Sequence, residues 1–257
     1  MPTVSVIVPV FRPDEFLDQC LDSIKAQTWK DIELIVVEDK DGAGAAATRN
    51  RGLDRATGYY IAFCDSDDYL APDAIERMVN AIGDTDMVVG SFRKFGDFES
   101  VVISPTGQMG RCDIAEYVMG NLRNPRENQI LSGCWAKLFR RPLVGRFPPL
   151  ATAEDMAFNF DYLTRCFQVK FISDIVYHNR KREGSLTTTY DEKNRMGLFG
   201  FLQGLKYVKR FLHGFYPDDE IEDALDNSKV YHSMLYFSRI CAQEGGDLRS
   251  TLRMLYP

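Results

Sequence analysis

Tyr60-Ile61-Ala62-Phe63-Cys64-Asp65-Ser66-Asp67-Asp68 is an apolar run that stops abruptly in acid. Residues 59–64 read as a strand buried on both faces, the mark of a parallel sheet. Asp65 and Asp67 follow it directly. Two neighbouring carboxylates can hold a hard divalent cation and leave positions open for substrate phosphates. A polar turn capping the next helix is the bland alternative, and the pair alone does not decide.

Working outward, Val4-Ser5-Val6-Ile7-Val8-Pro9-Val10 is a second doubly buried strand pattern. A helix opening at Pro13-Asp14 shows apolar residues every three or four positions: Phe16, Leu17, Cys20, Leu21 and Ile24. Residues 32–37 predict another strand, ending at Glu38-Asp39, then a small-residue loop over 40–47 and a short helix near 48–56. Pro72 suits the first turn of a helix burying Ile75, Met78, Val79 and Ile82, and 86–92 is a further strand. The middle predicts strands at 98–103, 134–139 and 169–178 and helices at 113–122 and 154–167. From 191 the pattern is helical, broken at Pro217. The fold class expected is α/β: a mostly parallel sheet flanked by helices (residues 1–190), with a helical C-terminal extension (191–257). Ligands of such sheets bind beyond the carboxyl ends of the strands, and two strands deliver acids to that rim.

The chain has 257 residues, 45% hydrophobic and 26% charged, with a formal net charge of -6. That balance argues against a general nucleic-acid binder. Its apolar runs are too short to span a bilayer. No basic segment followed by an apolar signal core opens the chain, so a cytoplasmic location is expected. The six cysteines form no CxxC pair and no zinc spacing; reduced thiols are expected.

Other candidates have a functional and a bland reading. Asp39 could meet a nucleobase or ribose, and Arg49 a phosphate. Asp155, beside Glu154 at a helix start, could act as general base, ionised but weakly basic because the helix N-terminus and a nearby metal favour its charge. Tyr177-His178-Asn179-Arg180-Lys181-Arg182 reads as a basic loop after a strand, able to approach a diphosphate. Arg123, Arg126, Lys137, Arg140, Arg141 and Arg146 could face an anionic lipid surface or a phosphate-bearing acceptor, or be solvated surface.

Together these motifs resemble glycosyltransferase family 2, inverting nucleotide-sugar enzymes of the GT-A fold. The resemblance rests on Val4 to Phe11, Cys20 to Thr28, Ala47-Thr48-Arg49-Asn50-Arg51-Gly52-Leu53, Tyr60 to Asp68, Trp135-Ala136-Lys137-Leu138-Phe139, Glu154-Asp155 and Arg182-Glu183-Gly184-Ser185-Leu186-Thr187. It implies that Pro9, Phe11, Glu38, Asp39, Arg49 and Asp65 bind the nucleotide. Asp65 and Asp67 would hold Mn2+ or Mg2+, and Asp155 would be the base. Glu154, Lys137, His178 and Arg180 are further candidates for diphosphate or acceptor contacts. The implied partners are a nucleotide-sugar donor, UDP-linked by preference, and a glycan or lipid-linked glycan acceptor. Peripheral association with the inner face of the membrane and a homodimer are compatible with this.

Four departures from the family pattern stand out. Glu38-Asp39 replaces the usual acidic pair, Arg12 and Ala136 stand at positions where asparagine is common, and only residues 40–48 separate Asp39 from Arg49. A parallel crossover needs about a dozen residues or more, so one helix-strand unit of the family is expected to be absent. Two other functions stay in view: a non-catalytic nucleotide-sugar binding partner, and a metal-dependent phospho- or nucleotidyltransferase.

Overall fold

A computed structural model describes residues 3–11, 13–125, 130–131, 133–150, 152–181 and 192–243. Side chains at 192–197 and 235–243 lie outside the description, as do Arg12, Arg126 and the Arg182 to Thr187 motif.

The N-terminal half alternates strand and helix: β1 (Val4–Val10), α1 (Leu17–Lys25), β2 (Ile32–Glu38), α2 (Gly44–Arg55) and β3 (Tyr60–Phe63). A short β4 (Tyr69–Leu70), α3 (Ala74–Ile82), β5 (Met87–Gly96), β6 (Ser100–Val102) and β7 (Gly107–Gly110) follow. Then come α4 (Arg111–Arg123), β8 (Lys137–Arg140), α5 (Glu154–Leu163), β9 (Gln168–Lys181), α6 (Glu192–Leu212) and α7 (Asp218–Gln243).

All described strands join one sheet, ordered β2-β1-β3-β8-β5-β9-β4, with β6 paired to β5 and β7 to β9. β1 is parallel to both β2 and β3, and β5 is parallel to β9, while β8 runs antiparallel between the two groups. The expected parallel sheet is thus the core of a mixed one. The chain passes from β2 to β3 through α2 alone, and β2 ends the sheet, in line with the short 40–48 connection.

Boundary differences have local causes. α2 begins at Gly44 rather than near 48 because both carboxylate oxygens of Asp39 accept N–H groups at its start, from Ala43 and Gly44, at 2.9 Å each. α1 begins at Leu17, after a turn in which Asp14 accepts the Phe16 N–H. β9 runs on to Lys181 because β5 pairs with it from Val169 to Lys181, with a bulge at 172–174. The 179–181 segment is therefore strand, extending the strand expected over 169–178.

The core is continuous. Val6, Ile7, Ile61 and Phe63 of the first strands are buried in the same cluster as Leu205, Val208, Phe211 and Leu212 of α6 and Ile221, Ala224 and Leu225 of α7. No helix among the described residues is long and apolar enough to cross a membrane.

Candidate active site

The carboxyl ends of β1, β2 and β3 form one rim. Phe11 lies just beyond β1 with 58% of its surface exposed, while Pro9 is buried within the strand. Glu38 is exposed and pairs with Lys40 at 3.4 Å. Asp39 is turned inward: only 1% of its side chain is exposed, and it is spent on the start of α2.

Arg49 is the electrostatic centre. Its guanidinium donates to Asp65 Oδ1 at 2.9 Å and to Glu154 Oε1 at 2.6 Å, and only 7% of the side chain is exposed. Its Nε is buried without a hydrogen-bond partner. Burial disfavours the cation, but the surrounding carboxylates of Asp65, Glu154 and Asp155 outweigh it and hold Arg49 charged. The ring of Phe147, itself stacked on Phe158 at 4.0 Å, lies 5.4 Å from the guanidinium carbon.

Glu154 and Asp155 open α5, as expected from the sequence. Burial and then the adjacent Glu154 carboxylate push Asp155 up to about 7, against the pull of Arg49 and of the Met156 N–H at 2.8 Å. The expected ionised, weakly basic group is corrected here: desolvation outweighs the helix N-terminus, leaving a carboxylate poised near neutral pH. The residue before the pair, Ala153, sits in the left-handed region at φ 58°.

α6 supplies the floor under this turn. A Cβ on Gly200 would lie 2.3 Å from Thr152 Oγ1 and 2.7 Å from the Thr152 carbonyl oxygen, and one on Gly204 would lie 2.5 Å from Met156 Cε. Two glycines one turn apart therefore let α6 press against the backbone that leads into Glu154-Asp155.

The acidic turn after β3 is held from below. Asp68, part of the turn that the bland reading made a polar helix cap, is 2% exposed. Its Oδ2 accepts from Tyr177 Oη and Asn179 Nδ2, both at 2.8 Å, and its Oδ1 from the Arg180 N–H at 2.6 Å. Tyr177 Oη in turn accepts the Asp65 N–H at 3.0 Å. Trp135 stacks on Tyr177 with ring centres 5.0 Å apart. Desolvation, with Asp65 and Asp67 nearby, raises Asp68 to about 8. Sequence reasoning quoted all these residues and missed their convergence, which depends on β9 running beside the turn. Asp65 keeps 27% of its side chain exposed, and Asp67 is half-buried.

Among the described residues, no three His, Cys, Asp or Glu side chains converge into a ready-made metal cage. The Asp65-Asp67 oxygen donors fit a hard cation that completes its shell with phosphate and water, the habit of magnesium and manganese.

Three sequence candidates stand elsewhere. Lys137 is 1% exposed, and its ammonium donates to the carbonyls of Ile130, Gly133 and Trp135 at 2.6, 2.5 and 3.3 Å. All three donors are used, so it fastens the 130–135 segment. His178 stacks on Tyr69 at 4.4 Å, on the sheet face opposite Tyr177. Arg180 donates from Nε to the Asp67 carbonyl at 2.9 Å and from Nη2 to Gln19 at 2.5 Å, and lies over Phe16. It supports the acidic turn from its backbone side. The basic stretch is divided: Arg123 pairs with Glu220, Arg146 with Asp54, and Arg140 donates to the Gly83 and Thr85 carbonyls.

The family model for glycosyl transferase family 2 matches residues 5–42 and 40–143, and the chain belongs to this family. It is similar to the glycosyltransferase EpsH of Bacillus subtilis, 28% identical over 274 residues, covering 91% of this chain and 76% of EpsH. It is also similar to the poly(ribitol-phosphate) beta-N-acetylglucosaminyltransferase TarP of Staphylococcus aureus, 26% identical over 69% of this chain and 62% of TarP. The fold matches that of S. aureus TarS 1-349 solved with UDP-GlcNAc, with a TM-score of 0.66 at 19% identity, over 88% of this chain and 71% of that one. The architecture is therefore the GT-A fold, and the chain is a glycosyltransferase.

Proposed function

We propose that the protein transfers a sugar with inversion from a UDP-linked donor to a hydroxyl of a glycan or lipid-linked glycan in surface polysaccharide synthesis. The observation that carries this is the ion network Asp65-Arg49-Glu154, which sets the poised carboxylate of Asp155 beside the acidic turn. UDP-GlcNAc in the TarS structure and the N-acetylglucosaminyl activity in the name of TarP support a UDP-sugar donor.

In this reading the acceptor oxygen forms its bond to the anomeric carbon as the bond from that carbon to the diphosphate oxygen breaks. The electron pair leaves with UDP, and the acceptor proton passes to the Asp155 carboxylate. A divalent cation bound by Asp65 and Asp67 would neutralise charge on the departing diphosphate. Arg49 keeps Asp65 and Glu154 in place rather than touching phosphate. Phe11 and Glu38 border the nucleotide side of the rim, with Pro9 buried in β1 and Asp39 holding the start of α2 behind them. Residues 1–190 form the catalytic unit and 191–257 a helical extension bounding the acceptor side, and the enzyme works in the cytoplasm at the inner face of the membrane.

The test is turnover of a panel of UDP-sugars with manganese, following UDP release and the anomeric configuration of the product by NMR. Inversion is expected. A product retaining the donor configuration, or UDP release with no transfer to any glycan, overturns the proposal.

A further inference from the structure

β2 ends the sheet, and β1 is the only described strand that pairs with it. The Asp31 carbonyl accepts the Val4 N–H and the Asp39 N–H donates to Val10, so the backbone groups of the odd-numbered residues face β1. By strand alternation, those of Leu34, Val36 and Glu38 face the free edge. The edge lacks the usual protections: it is seven residues long, keeps an unbroken register and contains no proline. Ile32, Leu34 and Val36 are only half-buried on one face. Beside them Ile24, Lys25, Trp29 and Lys30 complete a groove of about 260 Å³ with Ile32 and Leu34. The Trp29 indole N–H is buried there without a partner.

We infer that this edge pairs with β2 of a second copy of the chain, antiparallel about a two-fold axis through Leu34. Charge complementarity favours a second copy as the occupant and this register over the one centred a residue further on. With Leu34 opposite Leu34 of the second copy, Ile32 lies opposite Val36 with its own N–H kept on the Lys30 carbonyl at 2.9 Å. The exposed Lys30 side chain, just before the strand, faces exposed Glu38, twice over by symmetry; within its own chain Glu38 has Lys40 as its partner. Centring the axis on Ile35 instead sets Lys30 against Lys40, a like-charge pair. The outward N–H and carbonyl of Leu34 bond reciprocally across the axis, and the apolar groove is covered. Both sheets become one, with the two candidate active sites at opposite ends because the paired strands run in opposite directions.

Sedimentation velocity of the full chain over a concentration series tests this. A particle of twice 29.3 kDa is expected. Lys30→Glu alone and Glu38→Lys alone each weaken association about tenfold or more at low salt, since each creates two like-charge contacts. The double variant restores it, and Leu34→Lys abolishes it. Circular dichroism confirms folding; Lys30 and Glu38 are exposed, so the charge-exchanged pair tests the contact without disturbing the core. A monomeric parent at every concentration overturns the inference. So does a dimer indifferent to these substitutions, or one that the double variant fails to restore.

Discussion

Arg49 Nη1 lies 2.6 Å from Glu154 Oε1, joining α2 to the first turn of the helix that carries Asp155. The same guanidinium holds Asp65, so α2, the turn after β3 and the start of α5 meet on one cation. Removing it leaves two carboxylates in a partly desolvated site. Arg49→Met is expected to destabilise by about 3–5 kcal/mol, the usual cost of breaking a buried pair from one side. Arg49→Lys, a point charge without the planar fork, recovers only part of this. Urea denaturation measures both.

Asp155→Asn removes the proposed proton acceptor and keeps the oxygen that receives the Met156 N–H. Transfer is expected to fall by about 10²–10⁴-fold, the range for general-base catalysis, while donor affinity stays within about twofold. Single-turnover transfer and calorimetric titration with the UDP-sugar separate the two. Unchanged transfer removes Asp155 from the chemistry.

The raised pKa of Asp155 gives the pH profile a direction. As the proposed base, Asp155 must be ionised, so kcat is expected to rise with pH through about 7 and then level. Glu154→Gln removes the neighbouring negative charge and shifts that limb to lower pH. Stability runs the other way. Folding raises this carboxylate pKa, so its contribution is full below the unfolded value and lost as pH rises through about 7. Asp155→Asn should therefore be more stable than the parent at pH 8, with the advantage vanishing near pH 4. Thermal midpoints across that range check the sign.

Lys137 offers a contrast between support and chemistry. Lys137→Met strips donors from three carbonyls in the 130–135 segment and is expected to cost about 2–4 kcal/mol. Below its melting temperature the variant should keep donor affinity within a few-fold. A selective collapse of UDP affinity with intact stability would reassign the lysine to the diphosphate.

Ala136 adopts φ 54°, a left-handed conformation that costs a residue bearing a Cβ about 1–2 kcal/mol. Glycine relieves this, and asparagine tolerates it better than alanine does. Ala136→Gly is expected to raise stability by about 0.5–1 kcal/mol, read from the urea midpoint.

Much of the fold was legible because its signals are local. The doubly buried patterns of β1 and β3 and the apolar spacing of α1 and α3 survive in the structure. So do the Asp65-Asp67 turn and the Glu154-Asp155 helix start. What escaped depends on long-range pairing. Asp68 looks like a turn residue until β9 brings Tyr177 and Asn179 against it. Lys137 and His178 look like free basic groups until carbonyls and an aromatic ring occupy them. The two-residue β4 carries no periodicity to detect, and its existence follows from its partner strand.

The contact of Gly200 with Thr152 bears on how members of such a family can be recombined. Residues after 191 resemble an interchangeable cap, an attractive place to splice in a relative's acceptor preferences. Yet α6 is also the mould in which the turn before Asp155 is cast. On the proposed function, a chimera joined near 191 would inherit a new acceptor side together with an altered pose of Asp155, so selectivity and rate would shift as one trait. Engineering them separately calls for a splice beyond Gly204, leaving the mould native while the distal helix varies.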